Sequence, residues 1–204
     1  MAPAYKLTYF NLTGLGEVIR FLFHYGGIEF EDVRIEEFTE WPAIKSKMPF
    51  GQIPILEYNG KTYYQCRAIA RYLAKQVKLV GKDDLENLEI DQTADVVSDL
   101  FQKTVDYYYE PDEKVKKNKE GPTLDELLPF YIGKLEKQIQ DNNGYLVGGH
   151  LTWADLHLVG ASEYISFMSG KDIVANTTYI KALKQKVHGL PGIREYISKR
   201  PNVA

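Results

Sequence analysis

Strand-like segments are confined to the first 80 or so residues of this chain, and everything beyond them repeats with a helical period. That division restricts the fold more than any single motif. Strands must pair within a sheet and helices must bury a stripe, so the first part closes a small sheet and the second packs as helices against it. Tyr5 to Phe10 is rich in aromatic and β-forming residues and predicts an extended strand, followed by a turn over Asn11 to Gly16. Val18, Phe21, Leu22 and Tyr25 then recur at i, i+3, i+4 and i+7, one stripe of a helix that should end at Gly26-Gly27. A second strand is expected from Phe30 to Ile35, and strand, helix, strand in that order implies a parallel pair joined by a right-handed crossover. An irregular stretch follows around Trp41-Pro42. Ile53 to Tyr58 and Lys61 to Tyr64 flank Asn59-Gly60, whose tolerance of positive φ suits a two-residue type I′ hairpin turn. Ile69, Tyr72, Leu73 and Gln76 space a short helix whose first turn lies just past Gln65-Cys66.

The order βαβ and then ββα describes a thioredoxin-like α/β domain over residues 1–80. Strand signals stop beyond Lys82-Asp83-Asp84, so the boundary belongs between Leu79 and Leu85, and residues 84–204 read as an all-α domain. There Ile90, Ala94, Val97, Phe101 and Val105 form one stripe of a long helix, and Asp91, Asp95, Ser98, Gln102 and Asp106 form another. Glu110 to Pro122 is charged, without an apolar stripe, and reads as a loop. Leu124, Leu128, Tyr131, Leu135 and Ile139 mark a further helix that Pro129 should kink or restart. From Trp153 to Met168 apolar residues fall all round the cylinder, as in a helix at the centre of a helical body. Ile180, Leu183 and Val187 outline a penultimate helix.

Composition excludes several classes of function. The chain is 44% hydrophobic and 26% charged, as a globular protein is, and 25 Lys plus Arg against 28 Asp plus Glu leave a net charge of -3. Nothing in that balance marks a nucleic-acid or anionic-membrane partner. Met1 to Lys6 carries neither the basic region nor the apolar run of a signal peptide, so a cytoplasmic location is expected, and the Asn11-Leu-Thr13 and Asn176-Thr-Thr178 sequons are expected to stay unmodified. The single cysteine, Cys66, rules out an internal disulfide and a cysteine-based zinc cluster. His24, His150, His157 and His188 show no metal-ligand spacing, and no metal is expected.

A thioredoxin-like redox enzyme needs Cys-x-x-Cys after its first strand, and here that turn is Asn11-Leu-Thr-Gly-Leu-Gly16. A site on this frame must therefore handle a thiol supplied by another molecule. Tyr5-Lys-Leu-Thr-Tyr-Phe-Asn11, Met48-Pro-Phe-Gly-Gln-Ile-Pro-Ile-Leu56, Gln65-Cys66 with Ala68-Ile-Ala-Arg-Tyr-Leu73, and Leu151-Thr-Trp-Ala-Asp155 stand in the same order as in the sigma-class glutathione transferases. The chain resembles that class, which includes the haematopoietic prostaglandin D synthases, over nearly its whole length.

The resemblance implies a homodimeric enzyme with glutathione as co-substrate. Tyr9 matches the tyrosine that activates glutathione. A thiol with a pKa of about 8.5 is mostly protonated at neutral pH, and a neutral phenol can donate a hydrogen bond that favours the nucleophilic thiolate. Ile53-Pro54 matches the cis-proline that turns the backbone towards the cysteinyl part of glutathione. Gln65 and Cys66 match the pair holding the γ-glutamyl carboxylate at a helix start, where free N–H groups suit an anion. Trp41 and Lys45 match contacts to the glycyl end, Gly51 and Gln52 complete that loop, and Asp99 matches a residue that reaches the partner subunit's glutathione. Phe10, Gly14, Leu15, Phe101 and His157 are the expected walls of the electrophile pocket, although a lone histidine in an apolar helix is more often a satisfied core residue.

Three departures from the pattern bear on function. Cys66 stands where many relatives have Ser, losing a hydroxyl donor but keeping its backbone N–H, and it is expected to be a packed thiol rather than a redox sensor. Leu15 stands where the prostaglandin synthases carry Arg. Ser98 interrupts the trio completed by Asp95 and Asp99, which in those synthases lies near a divalent cation, and so weakens any oxygen-ligand site. Thr152 and Asp155 read as a capping box, with Leu151 able to staple onto Leu156, and not as catalytic groups. The expected activity is conjugation of glutathione to small hydrophobic electrophiles. The alternatives are glutathione-dependent isomerisation of prostaglandin H to D, or a non-catalytic crystallin-like relative.

Overall fold

The computed structural model describes residues 4–201. Four strands, β1 (Tyr5–Phe10), β2 (Phe30–Ile35), β3 (Ile55–Tyr58) and β4 (Lys61–Tyr64), form one sheet in the order β2-β1-β3-β4. β1 runs parallel to β2, with Tyr9 opposite Arg34, and antiparallel to β3. Helix α1 (Glu17–Gly26) connects the parallel pair and ends on Gly27 at φ 60°, a left-handed residue that closes the helix without a side-chain clash. Asn59 and Gly60, at φ 50° and 73°, make the tight turn between β3 and β4. The irregular stretch holds one turn of helix, α2 (Trp41–Ile44), and two 3-10 turns, Lys45–Lys47 and Pro49–Gly51. Helix α3 (Cys66–Gln76) follows. This is the thioredoxin-like layer.

The helical body begins with α4 (Asp84–Tyr108), capped by Asp83, whose side chain accepts the Glu86 N–H at 2.9 Å. Its acidic stripe has structural work: Asp91 pairs with Arg71 at 2.9 Å and Asp95 with Arg67 at 2.5 Å, tying α4 to α3. The segment read as a loop, Glu110 to Pro122, is instead largely helical, as α5 (Glu113–Gly121). It lacks an apolar stripe because polar contacts hold it. Asp112 caps the Lys114 and Val115 N–H groups, Lys119 pairs with Glu110, and Lys116 donates to the Tyr108 carbonyl at 2.8 Å. A wide π-type turn, Pro122–Leu127, then leads into α6 (Leu128–Asp141), which restarts with Pro129 in its first turn.

Helix α7 (Trp153–Ser169) lies at the centre, with Trp153, Leu156, Leu158, Val159 and Ile165 buried. Thr152 and Asp155 form its capping box, and Asp155 also accepts the Leu146 N–H at 2.8 Å, which fixes the preceding loop. Helices α8 (Tyr179–Gly189) and α9 (Pro191–Lys199) complete the described residues. Both parts share one apolar core, since α1 packs on α3 from one side and on α7 and α9 from the other. A buried ionic network crosses the same contact. Arg20 bonds Asp32, Glu17 binds Arg200 and the Tyr196 hydroxyl, and Arg200 continues to Glu163.

Candidate active site

A cleft of about 580 Å³ opens between the ends of β1 and β2, the α2 region, the start of α3 and one face of α4. The sheet layer supplies Phe10, Leu15, Trp41, Lys45, Gly51, Gln52, Ile53, Pro54, Gln65 and Cys66 to its wall, so ten of the residues singled out from sequence meet in one place. The Ile53-Pro54 bond is cis. Gln65 sits at φ 73°, a left-handed conformation unusual for a non-glycine residue, where the chain turns from β4 into α3. The first hydrogen bond of α3 runs from the Ile69 N–H to the Gln65 carbonyl, leaving the N–H groups of its first turn without helical partners. Those donors and the positive end of the helix suit a carboxylate.

Tyr9 stands immediately behind this wall, its ring 5.4 Å from that of Phe10. The Leu15 N–H donates to Tyr9 Oη at 3.0 Å, which leaves the hydroxyl hydrogen free to be donated elsewhere. Burial pushes the phenol well above its ordinary range and outweighs the opposing pull of that N–H, so Tyr9 stays neutral at physiological pH. The turn after β1 is shaped around the ring. A Cβ on Gly14, at φ +42°, would lie 2.7 Å from Tyr9 Oη, and one on Gly16 would lie 2.5 Å from the ring. On the other side the Arg20 guanidinium sits 5.8 Å from the ring centroid. The fully buried Arg20 also donates to the Phe10 and Leu12 carbonyls at 3.2 and 2.7 Å, fixing the end of the strand that carries Tyr9.

Four other predicted residues lie elsewhere. Asp99 is exposed on α4, outside the cleft of its own chain. Gly14 is buried against Tyr9. Phe101 is turned inward, its ring 6.0 Å from that of Tyr164. His157 does not line the cleft: it is 2% exposed, and its Nε2 lies 2.9 Å from Ser98 Oγ. Because Ser98 donates to the Ala94 carbonyl, His157 is the donor to Ser98, and burial lowers the imidazole to about 4, keeping it neutral. The serine that interrupts the aspartate trio is thus the partner of a core histidine. Among the described residues no group of three or more His, Cys, Asp or Glu is placed to hold a metal ion. Cys66 is buried and its thiol is pushed up to about 12, so it is not a thiolate at neutral pH.

The sequence reading missed the wall contributed by Gln102 and Val105 of α4 and by Tyr109 just past its end, together with Glu37 from the turn after β2. The first three are spaced i, i+3 and i+7, a helical stripe that an apolar-only pattern divides between two faces.

Fold and cleft together define a thioredoxin-like enzyme that takes an external thiol. Residues 5–75 match the glutathione S-transferase N-terminal domain family and residues 98–200 the glutathione S-transferase C-terminal domain family. The chain is 44% identical to a glutathione S-transferase of Anopheles gambiae, with 98% of each chain covered. It is 36% identical to human haematopoietic prostaglandin D synthase, again over 98% of each. Among solved structures, that described as prostaglandin synthase D of Nilaparvata lugens superposes with a TM-score of 0.93 at 44% identity, covering 98% of this chain and 99% of that one. The chain belongs to the glutathione S-transferase family, in the sigma-class group of invertebrate transferases and haematopoietic prostaglandin D synthases, and glutathione is the co-substrate of that family.

Proposed function

We propose that this transferase conjugates glutathione to small hydrophobic electrophiles in the cytoplasm, with Tyr9 donating a hydrogen bond to the glutathione thiolate. The observation that carries the reading is the Tyr9 hydroxyl, which already accepts the Leu15 N–H and keeps its own hydrogen to give. The thiol proton leaves to solvent, the thiolate attacks the electrophilic carbon, and the leaving group departs with its bonding electrons. Tyr9 remains a neutral phenol throughout. Residues 1–80 form the unit that holds glutathione: the α3 start with Gln65 and Cys66 takes the γ-glutamyl carboxylate, Ile53 and Pro54 the cysteinyl backbone, and Trp41 and Lys45 the glycyl end. Residues 84–204 supply the facing wall and dimer contacts.

A homodimer fits the surface. Tyr63, Tyr64 and Tyr72 are 43, 42 and 39% exposed on the β4 and α3 side, beside an apolar hollow that also includes Leu56 and Ala68. A second copy seated there is the homodimer of this reading, in which the exposed Asp99 serves the neighbouring glutathione.

Tyr9→Phe tests the central step. The pH at which bound glutathione forms thiolate, read from ultraviolet thiolate absorbance, should rise towards the free-thiol value of about 8.5, and kcat/KM should fall roughly 100-fold near pH 6.5. An unchanged titration would remove Tyr9 from the mechanism. The likeness to prostaglandin D synthases supports a second reading, isomerisation of prostaglandin H with glutathione regenerated each cycle. Absence of product D on incubation with that endoperoxide retires it.

A further inference from the structure

Among the described residues the cleft wall carries two charged side chains, Glu37 and Lys45, and each has its own neighbours. Lys45 lies against Gly51, its Cε 3.7 Å from where a Cβ on that glycine would stand, at the end assigned above to glutathione. Glu37 faces the end of α4, where the Tyr109 hydroxyl donates to its Oε2 at 3.3 Å. Tyr109 Oη is also 2.8 Å from Tyr164 Oη. A carboxylate can only accept, so the direction of this chain is fixed: Tyr164 donates to Tyr109, and Tyr109 donates to Glu37. Neither phenol then has a hydrogen left for a ligand. Gln102, on the same wall, gives an amide hydrogen to Asp106 at 2.7 Å. Phe10, Leu15 and Val105 on the same wall are apolar. Both phenols are held above their ordinary range chiefly by burial, and Glu37 is the carboxylate whose charge adds to the effect on each.

We propose that Glu37 is a specificity-determining residue: its carboxylate makes the electrophile end of the cleft select neutral electrophiles over those that carry a carboxylate. The inference rests on the placing of glutathione at the Lys45 end. An anionic substrate entering beside Glu37 would meet a like charge in a partly desolvated cleft, where the one cation among the described lining residues, Lys45, is set against Gly51. A neutral ester or amide of the same shape meets no such penalty.

The test uses a matched pair of aryl chlorides, 4-chloro-3,5-dinitrobenzoate and its methyl ester. In both, the glutathione sulfur bonds to the ring carbon and chloride leaves with the electrons of the carbon–chlorine bond. Each kcat/KM is divided by the uncatalysed rate constant with glutathione at the same pH, which removes intrinsic reactivity. The expected preference for the ester is on the order of tenfold, shrinking as salt is raised because Glu37 is only partly buried. Glu37→Gln should reduce it to within about twofold, Glu37→Lys should reverse it, and Glu37→Asp should retain it, a charge order that a change in folding alone does not produce. Affinities for the two S-aryl glutathione conjugates, read by titration calorimetry, give a second measure that needs no turnover. A wild-type protein that treats acid and ester alike by both measures, or a preference that ignores the charge at position 37, overturns the proposal. Conjugates bound with the expected preference, but with no turnover of either chloride, would sustain Glu37 and sink the transferase reading instead.

Discussion

Gly16→Ala should damage catalysis through Tyr9, although on backbone grounds the substitution ought to help. Gly16 has φ -76° and ψ -21°, an ordinary helical conformation at the start of α1, where alanine stabilises by about 0.5–1 kcal/mol by restricting the unfolded chain. Its added Cβ, however, would stand 2.5 Å from Tyr9 Cδ1 and 2.9 Å from Cγ. Carbon atoms rest at about 3.5–4.0 Å, so the ring must withdraw by roughly 1 Å. It has little room to do so. Tyr9 is 5% exposed, the contact is near the root of its ring, and the Arg20 guanidinium lies 5.8 Å from the ring centroid. Overpacking of this kind costs about 1–3 kcal/mol, which exceeds the backbone gain and lowers Tm by a few degrees. With Tyr9 acting as proposed, the larger effect is on rate, because a displacement of about 1 Å in a catalytic group can cost up to 100-fold. Steady-state kinetics near pH 6.5 should show kcat/KM reduced roughly 10- to 100-fold with KM for glutathione close to wild type. In a Tyr9→Phe background the same change should cost only a few-fold, because the hydroxyl whose placement it disturbs is already gone. Equal losses in both backgrounds would refute the argument, as would a fully active Gly16→Ala protein with raised Tm.

Two further outcomes follow from buried and exposed groups. His157 titrates near 6.5 when unfolded but is lowered to about 4 in the fold, first by burial and then by the Arg67 charge. As pH falls from 6.5 towards 4 the unfolded chain takes up this proton and the native state does not, so a contribution of up to about 3 kcal/mol, fully present above pH 6.5, is lost across that window. Urea unfolding at pH 7 and pH 4.5 should show a smaller acid loss in His157→Gln, whose amide can still donate to Ser98; an identical loss would assign the acid sensitivity elsewhere. With Asp99 serving the neighbouring site of a dimer as proposed, Asp99→Ala should raise KM for glutathione about tenfold while the protein sediments as a dimer. A monomer in sedimentation, or an unchanged KM, would separate Asp99 from glutathione.

Local rules account for the parts that were legible beforehand. The Asn59-Gly60 turn, the stripe of α1 and the Thr152–Asp155 box each depend on residues within a few positions of one another, so their spacing is visible in the chain. Helix α5 was not legible, because its stability comes from Asp112 as cap and from Lys116 and Lys119 reaching other segments, and none of these leaves an apolar period. His157 was drawn towards the cleft by its match in the family pattern, but packing turned it to Ser98.

By itself, then, the sequence determined the order of elements, the absence of a redox cysteine pair, and the motifs around Tyr9, Ile53-Pro54 and Gln65-Cys66 that carry the likeness to transferases. Those depend on local propensity and on residue identity. Only the tertiary structure decided that the Tyr9 hydroxyl accepts the Leu15 N–H, that Arg20 braces the strand end from behind, and that Glu37 meets Tyr109 across the cleft. Glu37 and Tyr109 are 72 positions apart, and whether a carboxylate faces solvent, a cation or a bound electrophile is set by which distant surfaces the core brings together.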